Sequence, residues 1–313
     1  MNLRKIAIVG CGMVGSSTAF SLMESGLFTD ILLIDKNTDR AAGEAADLSH
    51  CLPFTRPVDI RAADYGDIQD CGIIVITAGV AQAEGETRLD CIHRNVEVFR
   101  SIVPKIVTYN RDAFILVVTN PVDVMTFVTL EMSGLPASRV FGSGTVLDSA
   151  RLKLLVGQRL KVDPRSVHAF VIGEHGDSEL AVWSSANISG IALDEYCNRC
   201  GYKSHAENRK LLENDVKNSA YEIIRKKGAT YYGIAAATRR ICESIVRDEH
   251  SIMPLSTLVN GHYGLDDVCI SLPALVGAHG VEDIIDIPLS PEENAALRRS
   301  ADTLKAAIST IKI

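Results

Sequence analysis

The stretch KIAIVGCGMVG, residues 5–15, determines the fold of this chain of 313 residues. An apolar run typical of a β-strand stands directly before three glycines, Gly10, Gly12 and Gly15, which form the pattern GxGxxG. A helical pattern follows from Met13 to Ser25. Glycine permits the tight turn between strand and helix, and it lets a pyrophosphate approach the backbone amides at the helix N-terminus. The context of strand, turn and helix therefore predicts a dinucleotide-binding unit, which the glycine pattern alone would not.

An acidic residue closes the next strand of this unit. The run DILLID, residues 30–35, is predicted as a second strand and ends at Asp35, twenty residues after Gly15. A carboxylate at this position accepts hydrogen bonds from both ribose hydroxyls of NAD, and its charge repels the 2′-phosphate of NADP. NAD is therefore the predicted cofactor. The alternative interpretation of Asp35 is an ordinary carboxylate at a strand end.

The first half of the chain alternates short apolar runs with helical patterns. An alanine-rich helix is predicted over residues 38–50, and the runs GIIVITAG (72–79) and AFILVVTN (113–120) show no alternation of polar and apolar residues. Continuous apolar runs of this kind are typical of strands that are covered on both faces. Strand and helix in alternation predict a Rossmann-type α/β fold, with a doubly wound parallel sheet.

The pattern changes after about Arg151, and the second half is predicted to be an α+β substrate domain with a smaller mixed or antiparallel sheet. Its predicted elements are a strand over 167–173, amphipathic helices over 205–227 and 232–247, and antiparallel strands over 270–277 and 281–287. The last helix opens with a capping box formed by Ser290, Pro291 and Glu293. No flexible linker separates the halves, so we expect two closely packed domains, an NAD-binding domain over 1–146 and a catalytic domain over 147–313.

Composition and charge argue against several other functions. The net charge of −7 argues against non-specific binding to nucleic acid or to an anionic membrane surface, and no apolar run approaches the roughly 20 residues of a spanning helix. The eight cysteines are scattered, which is typical of reduced thiols in a cytoplasmic protein. Cys197 and Cys200 form a CxxC pair, but no second pair or suitably spaced histidine accompanies it, so no metal site is predicted.

A single histidine stands out in VIGEHGDSELAVW, residues 171–183, because the apolar run ends there. His175 lies between Glu174 and Asp177. Histidine has the side chain whose ordinary pKa lies nearest to neutral pH, so one interpretation is an acid/base group that awaits a substrate. The other interpretation is a turn residue that is solvated or bonded to a backbone carbonyl, and nothing local separates the two.

Charged side chains also lie close together in TVLDSARLKLL, residues 145–155. Asp148 and Arg151 are three residues apart on a predicted helix and are therefore neighbours on one face. The guanidinium fork of an arginine suits a substrate carboxylate, and a nearby carboxylate suits the far ring nitrogen of a histidine. An ordinary helical salt bridge is the alternative.

Two further polar residues are predicted at the carboxyl edge of the parallel sheet, where ligands bind in such folds. Arg88 follows a long loop, Val80 to Thr87, which has the character of a mobile lid, and it could stabilise developing charge. Asn120 in TNPVD could hydrogen-bond a cofactor amide and a substrate oxygen. The alternatives are a surface arginine paired with a loop glutamate, and a cap for the next helix.

Seven motifs occur in the order and approximate spacing found in NAD-dependent L-lactate dehydrogenases, and the more distant malate dehydrogenases share this framework. The chain resembles this family over essentially its whole length. The motifs are GCGMVG, TAG, EGETRLD.IHRNV, TNPVD, GSGTVLDSAR, GEHGDS and KGATYYGIA.

The resemblance implies a role for each matching residue. His175 would give a proton to the ketone oxygen of pyruvate as hydride arrives from NADH, and Asp148 would hold its other ring nitrogen. Arg151 would bind the substrate carboxylate, and Arg88 would polarise the carbonyl. The implied cofactor residues are Gly10, Gly12, Met13, Val14, Gly15, Asp35, Thr77, Ala78, Gly79, Asn120, Ser143 and Ile234.

The same resemblance places substrate selection at Gln82, where malate dehydrogenases carry an arginine for the second carboxylate of oxaloacetate. With a neutral glutamine, a dicarboxylate would bury an unpaired charge at a cost of roughly 3–5 kcal/mol, a discrimination of roughly 10²- to 10⁴-fold. Thr230 would bound the pocket beside the substrate methyl group. Pyruvate and lactate are therefore the expected substrates, with malate dehydrogenase as the alternative and a catalytically silent NAD-binding protein as the rival from another class.

Assembly and regulation also come from the resemblance. Many bacterial members are homotetramers that bind fructose 1,6-bisphosphate between subunits, through an arginine two residues after the substrate-binding arginine and a histidine in the strand before GEHGD. Here these positions hold Lys153 and His168. Lysine keeps the positive charge but lacks the bidentate fork, so allosteric activation is a hypothesis. The alternative is a solvated lysine and a satisfied strand histidine.

Overall fold

A computed structural model of the chain describes residues 1–80, 88–201 and 205–312. Within these ranges the strands are β1 (Asn2–Val9), β2 (Asp30–Ile34), β3 (Asp59–Ala62), β4 (Cys71–Ile76), β5 (Phe114–Val117), β6 (Val140–Gly142), β7 (Val167–Ile172), β8 (Leu180–Ile188), β9 (Ile191–Ala192), β10 (Ser251–Val259), β11 (Val268–Gly277) and β12 (Gly280–Ile284). The helices are α1 (Met13–Ser25), α2 (Thr38–Ser49), α3 (Arg88–Tyr109), α4 (Val122–Ser133), α5 (Val146–Leu160), α6 (Leu193–Arg199), α7 (His205–Lys227), α8 (Tyr232–Val246) and α9 (Pro291–Ile308).

The main sheet is mostly parallel, as the sequence predicts. In the described part of the chain its order is β12-β11-β10-β6-β5-β4-β1-β2-β3, and the six strands from β6 to β3 run parallel. Every residue of β4 is buried, because helices pack on both faces of the sheet. The order of the strands along the chain reverses between β1 and β4, and the carboxyl ends of strands at such a switch point form the crevice where open α/β sheets bind ligands.

The second half contributes an antiparallel sheet of its own, β7-β8-β9. The predicted strands over 270–277 and 281–287 are antiparallel, but they do not belong to this smaller sheet. The first lies within β11, and the second overlaps β12, which ends at Ile284 rather than at residue 287. Both extend the main sheet through the antiparallel pairing of β10 with β6. The sequence analysis predicted these two segments as strands but did not predict β10 or β6, and the pairing depends on contacts between residues that are distant in the chain.

Local signals in the sequence fix several helix ends. Gly26 ends α1 with a left-handed φ of 63°, and its N–H donates to the carbonyl of Met23. Ser290 caps α9: its hydroxyl accepts the Glu293 N–H, and the Glu293 side chain accepts the Ser290 N–H, which confirms the predicted capping box. The helix predicted over 205–227 has the bounds of α7.

All eight cysteines carry free thiols, and five of them are buried. Among the helices of the described ranges, none is both long enough and apolar enough to cross a membrane.

Candidate active site

The glycine turn after β1 packs against the turn after β4 at backbone distance. Gly10 has a φ of +104°, and a Cβ added to it would lie 2.4 Å from the backbone nitrogen of Ala78. A Cβ on Gly15 would lie 1.9 Å from the carbonyl oxygen of Gly10. Gly12 differs, since a Cβ there would meet nothing within 4 Å. Gly10 and Gly15 are therefore needed for packing, whereas Gly12 leaves space for a ligand.

A cleft of about 480 Å³ opens beside this turn, lined by Gly10, Gly12, Asp35 and the Thr77–Gly79 turn among others. The carboxylate of Asp35 accepts the N–H of Cys11 at 2.6 Å and the N–H of Asn37 at 2.9 Å, so it is fixed at the end of β2. Each carboxylate oxygen can accept a further hydrogen bond, which suits ribose hydroxyls. The open side of Gly12 and the fixed carboxylate together fit NAD.

The remaining residues predicted for the cofactor are not among the described residues that line this cleft. Met13 is exposed and Val14 half-buried in the first turn of α1, and Val14 packs against the same core cluster as Ile234 of α8. Ser143 is buried after β6, and its N–H donates to the carbonyl of Val117. Gly79, which does line the cleft, packs against Thr119, whose Cγ2 would lie 2.4 Å from a Cβ added to the glycine.

A buried asparagine that the sequence analysis did not single out connects two ligand-binding loops. Asn95 on α3 is 0 % exposed, and its Oδ1 accepts the Val80 N–H at 2.8 Å. Its Nδ2 donates to the carbonyls of Val80 and Asn120, at 3.2 and 3.1 Å. Asn120 precedes a cis peptide bond to Pro121, and both residues line the second cavity described below.

Three side chains predicted to act together do meet. The Nδ1 atom of His175 lies 2.6 Å from Oδ2 of Asp148, and Nη1 of Arg151 donates to Oδ1 of the same carboxylate at 2.8 Å. Asp148 is 2 % exposed. Each carboxylate oxygen thus has a cationic or protonated partner, which is the arrangement that a buried charge requires.

Hydrogen bonds between α5 and β7 hold Asp148 in a fixed position relative to His175. Asp148 lies in the first turn of α5. On either side of it in the chain, the hydroxyls of Thr145 and Ser149 donate to the carbonyl of Val171 on β7. The Val171 N–H in turn donates to Ser149 Oγ. Past the end of β7, Gly173 exchanges two backbone hydrogen bonds with Ser271 of the main sheet. His175 therefore sits where the smaller sheet is tied to the main one.

A second buried carboxylate positions the backbone of His175. Asp123 on α4 is 1 % exposed, and its Oδ2 accepts the His175 N–H at 2.7 Å. Its Oδ1 accepts the hydroxyl of Ser271 at 3.3 Å. Burial raises the pKa of Asp123 to about 6. The sequence analysis missed this residue because an aspartate early in a helix has the pattern of a cap.

The electrostatics favour the charged form of His175. Burial alone would lower its pKa, but the charge and hydrogen bond of Asp148, with smaller contributions from Asp123 and Glu179, raise the pKa to about 9. For Asp148, burial has the opposite effect and would raise the pKa of the carboxyl, yet His175 and Arg151 hold this pKa below its usual range. Because the folded pKa of His175 exceeds its ordinary value of 6.5, its contribution to stability is complete below that pH and is lost as the pH rises to about 9.

These side chains face a cavity of about 510 Å³, which we call the substrate cavity. It is lined by Asn120, Asp148, Arg151, His175 and Glu179, and on the α7 side by Val216, Lys217, Ala220, Tyr221 and Ile224. Val80 lines both this cavity and the cofactor cleft, so the two adjoin. An acid/base group, a cation and the cofactor cleft thus converge, which is what a hydride-transfer site needs.

Other predicted site residues lie elsewhere or outside the described ranges. Gln82 and most of the predicted lid fall within residues 81–87, which are not described, and Arg88 begins α3 with a side chain that is not described either. Thr230 is half-buried in the turn between α7 and α8, apart from the described lining of the substrate cavity. Lys153 lies on α5 and His168 is exposed on β7.

Comparison with known proteins agrees with this geometry. Residues 4–142 match the family model "lactate/malate dehydrogenase, NAD binding domain", and residues 145–312 match "lactate/malate dehydrogenase, alpha/beta C-terminal domain". The chain belongs to the lactate/malate dehydrogenase family. Its similarity to the family extends over nearly its whole length.

Individual members of the family are similar at the level of whole chains. The L-lactate dehydrogenase of Acetivibrio thermocellus is 53% identical over 99% of this chain and 98% of that protein, and L-lactate dehydrogenase 1 of Clostridium acetobutylicum is 48% identical over 98% of each. The crystal structure of the minor L-lactate dehydrogenase from Enterococcus mundtii, in its ligands-bound form, superposes with a TM-score of 0.96 at 40% identity and covers 99% of both chains. The NAD-binding domain of the family supports NAD as the cofactor.

The different surroundings of two glycines in the fingerprint generate a first prediction. Gly12→Ala leaves the free energy of unfolding within about 1 kcal/mol of the unmodified protein, because its Cβ enters open space, but it weakens NADH binding at least about tenfold. Gly15→Ala is the matched variant and destabilises the fold by about 1–3 kcal/mol, because its Cβ overlaps the Gly10 carbonyl. Denaturant unfolding and calorimetric titration with NADH measure the two effects. Unimpaired NADH binding by Gly12→Ala would contradict the placement of the phosphates.

The Asp148 contact generates a second prediction. In Asp148→Asn the pKa of His175 falls from about 9 by more than about one unit, because the opposite charge and the charge-assisted hydrogen bond are lost. Nuclear magnetic resonance of ring-labelled histidine measures the midpoint in the protein without ligands. Asp177→Asn removes an exposed carboxylate two residues from His175 and leaves the midpoint in place. An equal shift in both variants would show that the contact with Asp148 has no special effect.

Proposed function

We propose that this chain is an NAD-dependent L-lactate dehydrogenase, which interconverts pyruvate and (S)-lactate. The observation that carries the proposal is the triad of His175, Arg151 and the buried Asp148 on the wall of a cavity that adjoins the NAD cleft. It offers one proton carrier and one cation for a carboxylate. The names of the similar proteins from Acetivibrio thermocellus and Clostridium acetobutylicum support the same activity.

The proposed chemistry follows from the charges of these residues. Bound NADH supplies the hydride that reduces the carbonyl carbon. Because Asp148 holds Nδ1 of His175, Nε2 is the ring nitrogen that faces the substrate. Protonated His175 donates a hydrogen bond from Nε2 to the carbonyl oxygen and then transfers that proton to it. Asp148 stabilises the imidazolium before transfer. In lactate oxidation His175 starts neutral and accepts the hydroxyl proton.

Arg151 is proposed to bind the substrate carboxylate with its planar guanidinium. One of its nitrogens already contacts Asp148, which fixes the orientation of the group and leaves other donors for the substrate. Arg88 is proposed to polarise the carbonyl, an effect worth several kcal/mol where water is excluded. Asn120 is proposed to bind both the cofactor amide and the substrate.

The remaining assignments are carried by the resemblance. Ser143 and Ile234 are proposed to surround the nicotinamide, and Thr230 to bound the pocket at the substrate methyl group. The boundary between residues 146 and 147 remains our proposed division between cofactor and substrate domains. The free thiols agree with the proposed cytoplasmic location.

Gln82 is proposed to select pyruvate over oxaloacetate. Among the described residues that line the cavity, the three acidic side chains equal in number the three basic ones; they are Asp148, Asp177 and Glu179, and Arg151, His175 and Lys217. A second substrate carboxylate at the neutral Gln82 would add an anion without a matching cation. The alternative function, malate dehydrogenase, requires such a cation.

Parallel assays of NADH oxidation with pyruvate, oxaloacetate and a branched 2-keto acid test the proposed function. We expect pyruvate to be preferred over oxaloacetate by roughly 10²- to 10⁴-fold in kcat/KM, as estimated from the unpaired charge. Preference for oxaloacetate would contradict the role of Gln82 and support the alternative function. Absence of turnover with any of the three acids would support a silent NAD-binding protein.

The variant His175→Gln serves as the control for mechanism in the same assays. It should bind NADH almost normally and lose turnover, because glutamine cannot carry the proton. A rate near that of the unmodified protein would remove His175 from the mechanism.

Regulation by fructose 1,6-bisphosphate and assembly into a homotetramer remain proposals. Nζ of Lys153 lies 6.0 Å from the ring centroid of Phe170, two residues from His168 on the same strand, so both candidate phosphate ligands lie near β7. Burial lowers the pKa of Lys153. A bound phosphate would restore favourable surroundings for the ammonium charge.

The effector proposal predicts that fructose 1,6-bisphosphate lowers the apparent KM for pyruvate at neutral pH and promotes subunit association. Lys153→Met should abolish both effects, since it keeps most of the side-chain volume but removes the charge. Kinetics and analytical ultracentrifugation with and without the sugar bisphosphate measure them. No change in either property of the unmodified protein would end the proposal.

A further inference from the structure

The substrate cavity contains a buried carboxyl group that the mechanism above does not use. Glu179 is 6 % exposed and precedes β8, and its N–H donates to the carbonyl of Gly176 at 3.2 Å, which turns the chain back toward the cavity. One of its carboxyl oxygens, a ring nitrogen of His175 and an oxygen of Asp148 all lie within 4.8 Å of one another. Glu179 therefore belongs to the electrostatic environment of the reacting groups.

The two carboxyl groups differ in their partners. Asp148 accepts a hydrogen bond on each oxygen, from His175 and from Arg151. Within residues 1–80, 88–201 and 205–312, by contrast, we find no hydrogen bond to the Glu179 carboxyl and no ion pair that includes it. Two buried carboxylates so close together resist ionising together, and a shared proton resides on the one with fewer partners. Glu179 is that group.

Other charged groups around Glu179 are already engaged. On α7, Lys217 donates to the carbonyl of Asp177 at 3.0 Å, and Glu213 accepts the indole N–H of Trp183 at 2.5 Å. Both face the small cavity behind Glu179. On α4, Asp123 is bound to the backbone of His175.

These surroundings make the titration of Glu179 depend on its neighbours. Burial, followed by the charge of Asp148, raises the pKa of Glu179 to about 8, although the charges of His175, Lys217 and Arg151 act in the opposite direction. Since the pKa of His175 is raised to about 9, the two groups titrate in overlapping pH ranges. Because the charges of His175 and Glu179 interact within the cavity, their titrations are linked to each other and to any further charge there.

A 2-keto acid brings one further negative charge into this cavity, where Arg151 and protonated His175 are proposed to receive it. We propose that Glu179 holds a proton whenever the keto acid is bound; at a pH where Glu179 is ionised in the empty cavity, it takes this proton from solvent as the anion binds and returns it when the cavity empties. This rests on the proposed function, because it needs an anionic substrate at Arg151. Glu179 thus acts as a positioning residue for charge: it keeps the imidazolium and the guanidinium available to the substrate.

The proposal has a consequence that a purely structural role lacks. Binding of the anion above about pH 9 requires two protons, one on His175 and one on Glu179, because both groups are then largely deprotonated in the empty site. The logarithm of the dissociation constant should therefore rise with pH with a slope that approaches two. In Glu179→Gln only His175 remains, and the slope should not exceed one.

The probe is oxamate, a non-reducible isostere of pyruvate, titrated into the complex of the enzyme with NADH between about pH 7 and 10. We expect Glu179→Gln to bind oxamate within about twofold of the unmodified protein near pH 7, since glutamine resembles the neutral acid. Above about pH 9 we expect the slopes of two and one. Glu213→Gln is the matched control on α7 and should keep the slope of the unmodified protein.

Proton uptake by the unmodified protein gives a readout that depends on no variant. At about pH 9.5, oxamate binding should take up more than one proton per site, measured with an indicator in weak buffer. Uptake of one proton or less, or equal slopes in Glu179→Gln and the unmodified protein, would overturn the proposal. If pyruvate is turned over while these results fail, Glu179 alone is wrongly assigned. If pyruvate is not turned over, the proposed function itself fails.

Discussion

The hydrogen bond between Asp148 and His175 is the interaction on which the rest of the site depends. It joins a carboxylate that is 2 % exposed to an imidazole at the end of the smaller sheet, at 2.6 Å. A buried carboxylate without partners would be strongly unfavourable, so Arg151 on its other oxygen is part of the same unit. The unit fixes which ring nitrogen faces the substrate cavity, and it keeps the imidazole protonated at neutral pH.

The fold brings this unit to the cofactor cleft by tying two sheets together. The glycine turn and Asp35 lie at the switch point of the main sheet, whereas His175 follows a strand of the smaller one. The backbone pairing of Gly173 with Ser271 joins the sheets, and Asp123 holds the next turn from the main-sheet side. Neither sheet alone carries both the cofactor cleft and His175. Hydride and proton transfer at this site therefore require both sheets to be folded.

The sequence predicted the elements of the fold with strong local signals, and it predicted the site where residue types are distinctive. The glycine cap of α1, the bounds of α7 and the capping box of α9 depend on neighbours in the chain, so they are readable locally. The pairing of β10 with β6 could not be predicted from local signals, because it joins segments about a hundred residues apart. Asn95, Asp123 and Glu179 were missed for the same reason: each is an ordinary polar residue in its own segment and acquires its role from contacts across the fold.

The central claim is that the Asp148 and His175 pair presents a proton to the carbonyl of a substrate whose carboxylate Arg151 binds. A crystal structure of the enzyme with NADH and oxamate tests this most directly. The account predicts Nε2 of His175 within about 3 Å of the oxamate carbonyl oxygen and the Arg151 guanidinium paired with the oxamate carboxylate. An oxamate carbonyl bound by another group, with His175 turned away from it, would contradict the account.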